Sequence, residues 1–404
     1  MDLESSKIIR EGITYEKERT EPPAGFPMFP EVPKGRYNDP EYLAAEQELM
    51  WQKAWLFAGH TDEIPDTGDY MLWQHGSAPI VLVRDENDDI NGFYNTCRHR
   101  GAPIVREEAG SVKRNLVCGY HGWTYNLQGE LIRLRDKRDF VGLDTKCHSL
   151  NAVRVEQLGN WIFVNEDLQA EPLLEHLGPL VDDFAQMQPE KLHFIHRDGF
   201  TVNCNVKVLM DAFLEVYHLP SIHKDTVDRF LDHRGCHISL FKNGHSRMIT
   251  PWRRDDWVDP GTVDMKQIET ITEIPLTNNC SYNFFPNLVA PIDPAGVPFL
   301  LFWPKGANSM YIEVIWFGPE PKTEPLTKTW ATRIKNFERI LEEDTQFAEE
   351  IQKSIGARSL KGMKLNYQER RIYYWHEELD RRIGKDNINT ALQLPELLAD
   401  YVEE

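Results

Sequence analysis

The stretch NTCRHRGAPIVREEAGSVKRNLVCGYHGWTY, residues 95–125, constrains this chain more than any other. Cys97 stands two residues before His99, and Cys118 three residues before His121. Thiolates and imidazoles both bind iron and zinc, so two short loops carrying one of each can converge on a single metal site. Mixed Cys/His ligation is one mode of a 2Fe–2S centre, with two thiolates on one iron and two imidazoles on the other. A structural zinc site is the competing reading, since two cysteines and two histidines also make a tetrahedral zinc shell. A zinc finger usually draws both cysteines from one loop and both histidines from another; here each loop offers one of each.

The surroundings of these loops read as β-structure. From Trp55 to about Phe163, short runs such as PIVLVRD, INGFYNT and NWIFVNED are separated by turn signals, including Asp88-Asp89 and Gln128-Gly129. A small antiparallel β domain fits that rhythm. The six cysteines are scattered through 404 residues, which argues against a secreted disulfide scaffold and for a reducing cytoplasm. With 45 Lys and Arg against 64 Asp and Glu, the net charge of −19 repels phosphate backbones and anionic lipid. Nucleic acid and membrane surfaces are therefore not expected partners. No apolar run approaches bilayer length, and MDLESSKIIREG carries no signal-peptide pattern.

A second cluster lies in NCNVKVLMDAFLEVYHLPSIHKDTV. Residues 209–217 are helix-compatible, and Pro220 is expected to disrupt the helix. Glu215 and His218, three apart, would share a helix face, with His223 just past the break. Two imidazoles from one turn supply two legs of a 2-His-1-carboxylate site for ferrous iron. Taken alone, two histidines five apart are weak evidence, and ordinary polar residues at a helix end are the plainer reading. Further on, Ile334, Phe337, Leu341, Ala348 and Ile351 form one predicted apolar stripe with Asp344 in its middle, while Glu342 and Glu343 fall off it. A carboxylate on a core-facing stripe is costly unless paired or bound to metal, and a buried salt bridge is the plain alternative.

CRHRG followed by CGYHGWTY closely resembles the Rieske domain of ring-hydroxylating oxygenases. The resemblance covers about residues 41–355. It implies that Cys97 and Cys118 hold one iron of a 2Fe–2S cluster, and His99 and His121 the other. Respiratory-chain Rieske proteins carry two further cysteines, which by spacing would fall at Ala102 and Tyr120, so that membrane-bound type is not implied. FLEVYHLPSIH follows at the family's usual distance, which implies a mononuclear iron held by His218, His223 and Asp344. The resemblance further implies that Glu215 is a bridging acid behind the metal, linking His218 to His121 of the partner subunit; a helix-surface acid beside Lys207 or Lys224 is its plain alternative. Many relatives have Asp at the place of Glu215; the resemblance is here to those acting on betaine-like substrates, which tend to have Glu. Asp211-Ala212 replaces a common Glu-Asn, so no role is carried over to Ala212.

The fold class so implied is α+β: a Rieske domain at 50–166, a catalytic domain of antiparallel sheet flanked by helices at 167–404, and an N-terminal helical segment at 1–49 packed on the latter. The implied activity is dioxygen activation at Fe(II) with electrons from the Rieske cluster, to hydroxylate an aromatic or other hydrophobic substrate. An oxidative demethylase of a quaternary ammonium compound is the alternative, and an electron carrier or a zinc-stabilised binding protein are readings of other classes. Electrons would come from NADH or NADPH through a separate flavin/iron–sulfur reductase, directly or by way of a ferredoxin, to a homotrimer. The lack of a Gly-x-Gly-x-x-Gly motif agrees with a nicotinamide site on another protein. NCSYNFFPNLVAPID, VPFLLFWPKG and MYIEVIWFGP read as the catalytic strands. Leu209, Phe213, Phe285, Asn287 and Phe302 are the expected pocket contacts.

Overall fold

The computed structural model describes residues 3–254 and 256–403; positions 1, 2, 255 and 404 of the expected segments lie outside the described residues. The chain forms two compact units, one of residues 51–173 and one of residues 1–50 with 174–404.

The smaller unit is all antiparallel β. A seven-stranded sheet runs in the order Leu56–His60, Trp161–Asn165, Ala152–Leu158, Ile90–Tyr94, Ile80–Arg84, Asp69–Trp73 and Ala109–Ser111. A three-stranded sheet is made of Asn115–Val117, Thr124–Asn126 and Leu131–Arg133. Val81, Val83, Phe93, Leu116, Trp123 and Tyr125 pack into a core that also encloses the side chains of Cys97 and Cys118. Cys118 directly follows strand Asn115–Val117 and Cys97 lies in the loop after strand Ile90–Tyr94, where the chain has left the ladder and can turn a side chain towards a ligand.

The larger unit is built on an eight-stranded sheet in the order His193–Val202, Ser309–Gly318, Val297–Gly306, Leu288–Ile292, Asn278–Phe284, Ser246–Pro251, His237–Phe241 and Val402–Glu403. All pairs are antiparallel except the last. Residues 297–303 are buried at every position, which explains a run as apolar as VPFLLFW: both faces of this central strand are covered. The predicted strands of this domain are all present, and the mixed α+β class with antiparallel sheets stands.

Helices Val206–Phe213 and Lys328–Thr345 carry the candidate site. The first starts where the Asn205 side chain accepts the Lys207 N–H at 3.1 Å; the second starts where Thr327 Oγ1 accepts the Trp330 N–H at 3.3 Å. Each cap satisfies a backbone donor that has no partner inside the helix. Helix Arg370–Ile383 is buried along nearly its whole length. The N-terminal segment is tied to it through Arg36, which donates to Asp380 at 2.6 Å and to the His376 carbonyl at 2.8 Å. No helix among the described residues is long and apolar enough to cross a membrane.

Two sequence expectations change here. The helix expected over 209–217 ends at Phe213, and Pro220 opens a separate one-turn helix, Leu219–Ile222, at its second position. Proline's missing N–H costs nothing in a first turn, so Pro220 starts a helix where a break was expected. The stripe expected from Ile334 to Ile351 is likewise divided. The chain leaves its helix after Thr345 and restarts at Ala348, and that turn leaves Ile351 44% exposed.

Candidate metal centres

The two Cys/His loops of the smaller unit are built alike. In the first, the Cys97 N–H donates to the Ala102 carbonyl at 2.8 Å and the Gly101 N–H returns to the Cys97 carbonyl at 2.9 Å. In the second, the Cys118 N–H donates to Trp123 and the Gly122 N–H to Cys118, both at 2.9 Å. Gly101 and Gly122 have φ of +75° and +72°, a left-handed conformation that a side chain would strain. Two equivalent tight turns therefore present two equivalent ligand pairs.

The histidines are brought ring to ring, with Nδ1 of His99 3.0 Å from Nδ1 of His121. Two nitrogens bound to one ion at roughly 2 Å each stand about 3 Å apart, so this spacing fits a shared metal. Both thiols are buried, Cys97 at 3% and Cys118 at 1% exposure, while the imidazoles are half-buried. Burial raises the Cys97 thiol above its ordinary pKa, even though the Tyr125 hydroxyl reaches its sulfur at 3.4 Å. The His99 ring stacks on Trp123, with centroids 5.1 Å apart and planes 10° apart, which fixes its orientation. These four side chains fit a 2Fe–2S cluster of the mixed type.

In the larger unit, His218 caps the N-terminus of the one-turn helix and His223 caps its C-terminus. One turn of helix therefore sets the two rings side by side, 5.2 Å between centroids. Asp344 comes from the end of helix Lys328–Thr345. Its Oδ1 lies 2.8 Å from Nε2 of His223 and 3.4 Å from Nε2 of His218. One ligand atom from each of the three residues falls within 4.8 Å of the others.

Both rings are also held from behind. Glu215 meets Nδ1 of His218 and accepts the backbone N–H groups of Tyr217 and His218. Glu343 meets Nδ1 of His223 at 2.8 Å and accepts the Thr226 hydroxyl at 2.6 Å. Carboxylates on Nδ1 leave Nε2 of each ring directed at the same point as Asp344, the arrangement that orients imidazoles on a metal. Burial disfavours charge on His218, yet its bonds to Asp344 and Glu215 outweigh this and raise its pKa to about 10. His223 is raised and Asp344 lowered for related reasons. A pocket that draws protons onto two buried imidazoles would also draw a divalent cation in their place.

Sequence reasoning brought together His218, His223, Asp344 and Glu215, and the structure places all four at this point. It missed Glu343, which it set off the stripe; the only signal was its adjacency to Asp344. Glu215 reaches His218 across a loop, because the helix ends before it. Lys207, its alternative partner, instead pairs with Glu46 at 2.5 Å.

A cavity of about 660 Å³ is lined by residues that neighbour the triad in sequence, although His218, His223 and Asp344 are not among them. Arg333, Asn336, Phe337 and Ile340 line it from the helix face that continues to Asp344, and Val227, Phe230 and Leu231 line it from the segment just after His223. Trp252 and Trp257 complete the aromatic wall; Phe230 stacks on Trp257 with centroids 4.5 Å apart. Backbone bonds from Arg253 to Phe230 and from Asp232 to Pro251 clamp these two segments together. The expected pocket residues do not line it. Leu209, Phe285, Asn287 and Phe302 are buried to 3% exposure or less. Phe213 packs on Phe302 at 5.0 Å, Phe285 packs near Trp375 at 5.9 Å, and the Asn287 side chain donates to the Phe302 carbonyl. Phe302 is core because its strand is covered on both faces, whereas Phe213, at the end of its helix, stays half-buried.

Residues 182–385 match the family described as ring hydroxylating alpha subunit (catalytic domain), and residues 54–148 match the Rieske [2Fe-2S] domain. The chain belongs to the ring-hydroxylating oxygenase alpha subunits. By family it combines a Rieske [2Fe-2S] domain with a ring-hydroxylating alpha-subunit catalytic domain. The chain is 32% identical over 204 residues to the glycine betaine monooxygenase oxygenase subunit of Chromohalobacter salexigens, covering 50% of this chain and 45% of that one. It is 33% identical over 200 residues to the large oxygenase component of the 2,4-dinitrotoluene dioxygenase system of a Burkholderia species, covering 46% and 43%. The chain thus spans about half the length of the curated relatives it matches. A solved structure of the quaternary ammonium Rieske monooxygenase CntA shares the fold, with a TM-score of 0.74 at 20% identity over 87% of this chain and 95% of that one.

Proposed function

We propose that this oxygenase hydroxylates an N-methyl group of a quaternary ammonium compound and so demethylates it. The observation that carries the reading is the aromatic cavity lined from the helix that carries Asp344 and from the segment that follows His223. Its wall of Phe230, Trp252, Trp257, Trp316 and Phe337 suits a quaternary ammonium head, which is attracted to ring faces. Its charged lining among the described residues is Asp259, Asp293 and Arg333, a sum of −1 that favours a cation. The names of the betaine relative and of CntA support the same choice. The aromatic-substrate reading rests on the same rings and on the dinitrotoluene relative, but gains nothing from the charge.

In this reading Cys97, Cys118, His99 and His121 hold the 2Fe–2S cluster, and His218, His223 and Asp344 hold iron(II). When bound, the cluster supplies electrons one at a time and the iron(II) supplies a site for dioxygen. The chain's own residues do the rest. Glu215 and Glu343 keep Nδ1 of each histidine hydrogen-bonded and Nε2 free for the metal. The rings of the cavity exclude water and hold the substrate's methyl group near the triad. Hydroxylation of one methyl consumes dioxygen, two electrons and two protons and releases water; the hydroxymethyl ammonium product then loses its O–H proton as the C–N bond breaks, giving formaldehyde and a tertiary amine. A separate flavin/iron–sulfur reductase, directly or through a ferredoxin, supplies the electrons in the cytoplasm. A homotrimer in which Glu215 links His218 to His121 of the partner subunit provides the route between the two centres.

The test is formaldehyde release, coupled to NADH consumption through a reductase, across a panel of trimethylammonium and aromatic substrates. Formaldehyde with a tertiary amine supports the reading; a ring diol with no formaldehyde overturns it in favour of aromatic hydroxylation.

A further inference from the structure

The cavity is long and unequal at its two ends. Ile340 lies one turn from Asp344, whereas Arg333 lies eleven residues away on the same helix, about 16 Å along its axis at 1.5 Å per residue. Phe337 and Ile340 line the cavity on the turns of that helix nearest Asp344. Arg333 is the only positive group in the lining among the described residues, and Asp293 pairs with it.

Arg333 is fixed in place there. Its Nη2 bonds Asp293 Oδ2 at 2.8 Å, and its guanidinium lies over the Trp316 and Trp330 rings at 5.2 and 5.5 Å. Nη1 meets the thioether sulfur of Met265 at 3.5 Å, a weak acceptor. Asp293 is itself engaged, since its other oxygen accepts the Ala295 N–H at 2.8 Å. A guanidinium has five in-plane donors, and one carboxylate oxygen uses little of that capacity. With 10% of its side chain exposed, Arg333 is a preorganised cation at the far wall of a cavity whose near wall suits the opposite charge.

Resting on the quaternary-ammonium reading of the same site, we propose that Arg333 is a specificity-determining residue that binds the anionic end of an elongated zwitterion. The ammonium lies by Phe230 and Trp257, a carboxylate meets Arg333, and the chain between them is longer than that of betaine. A molecule the size of betaine would occupy only a small part of a 660 Å³ cavity and would not reach both ends. Asp293 holds the guanidinium still, so the substrate's carboxylate finds its donors already arranged.

Calorimetric titration of the full-length, iron- and sulfide-loaded protein without oxygen tests this with three probe series of graded length: trimethylammonio-carboxylates, their methyl esters, and plain alkanoates. The expected result is an affinity maximum at a chain longer than betaine, with the matching ester about ten- to a hundredfold weaker, as for loss of a charge-assisted hydrogen bond. Arg333→Met lowers the acid's affinity by a similar factor and leaves the ester's unchanged. Because that variant strands Asp293, the pair Arg333→Met with Asp293→Asn is measured beside it and gives the same selectivity. Equal weakening of acid and ester in both variants overturns the assignment, as does equal binding of acid and ester by the unsubstituted protein. If plain alkanoates bind as well as trimethylammonio-carboxylates and still depend on Arg333, the anion clamp stands and the quaternary-ammonium reading falls.

Discussion

Glu343 and Asp344, neighbours in sequence, grip the same imidazole from opposite sides: Oε2 of Glu343 lies 2.8 Å from Nδ1 of His223, and Oδ1 of Asp344 lies 2.8 Å from Nε2. Thr226 adds its hydroxyl to Glu343, which anchors that carboxylate independently of the ring. Glu343→Gln should therefore weaken iron binding by about ten- to a hundredfold, the usual effect of losing an acid behind a metal-bound histidine. Ferrous-iron titration of the metal-depleted catalytic site measures it. Unchanged affinity would show that Glu343 serves only to tie down the loop at Thr226.

Asp344→Asn should remove the mononuclear iron and spare the cluster. Iron and acid-labile sulfide should fall from about three irons and two sulfides per chain to about two and two. A normal spectrum of the reduced cluster confirms that the Rieske unit is intact. Three irons retained in the variant would mean that Asp344 is a buried acid and not a ligand.

Glu215→Gln separates metal binding from electron delivery. Glutamine can still accept the Tyr217 and His218 N–H groups, so iron content should hold. Substrate-coupled oxidation of the reduced cluster should slow by a factor of 10 or more if the carboxylate completes the route between subunits. A rate equal to that of the unsubstituted protein, at full iron content, would refute the bridging role.

The acid side of the stability profile should be bent. Burial lowers His176 to about 3, His237 to about 4 and His245 well below its ordinary range. These rings fold neutral, so each contributes stability that is complete above about pH 6.5 and is lost as pH falls toward the folded value. Burial also raises Glu369 and Glu377 to about 7, and their contribution runs the other way, declining as pH rises from about 4.5 to 7. At pH 5.5 the neutral imidazoles, with His233 and His376 lowered in the same sense, outweigh the two carboxylates, so stability falls as pH falls. Below about 4.5 the carboxylates no longer oppose, and the loss steepens. Chemical denaturation of iron-loaded protein between pH 4 and 7 measures the curve; a uniform slope across that range contradicts the assignment.

Lys207 and Glu46 form an ion pair with side chains 0% and 3% exposed. Lys207→Met alone removes the cation that faces the buried Glu46 carboxylate and should cost about 3–5 kcal/mol. Lys207→Met with Glu46→Leu should recover most of that, because two apolar groups need no compensation. Guanidinium unfolding midpoints of the two variants decide between this and a surface-like pair worth less than about 1 kcal/mol.

How much of this was legible in the chain follows from the range of the contacts. Cys97 with His99 and Cys118 with His121 were readable because a tight Gly-bounded turn converts spacing of two or three residues directly into ligand geometry. His218 and His223 were readable for the same reason, one helical turn apart, although the break expected at Pro220 proved to be a helix start. Four of the eight strands of the large sheet, those within residues 278–318, were plain from their apolar runs, whereas His193–Val202, His237–Phe241, Ser246–Pro251 and Val402–Glu403 were not read. Asp344 was reached through the helix period, which holds only while the helix does; past Thr345 the turn at Gln346 and Phe347 left Ile351 in solvent.

The sequence by itself determined that this chain carries two Cys/His loops and a His-rich turn, hence its Rieske oxygenase class, because each depends on residues a few positions apart. Only the tertiary structure decided what surrounds them. Glu343 reaches a histidine 120 positions away, and the cavity wall joins Phe230, Trp252 and Trp257 from polar loops to Arg333 on a distant helix. Apolar strand residues such as Phe302 looked like pocket and became core, since burial on both faces is a property of the packed sheet. No local pattern encodes which aromatic ring is covered by a neighbouring layer and which is left facing a void.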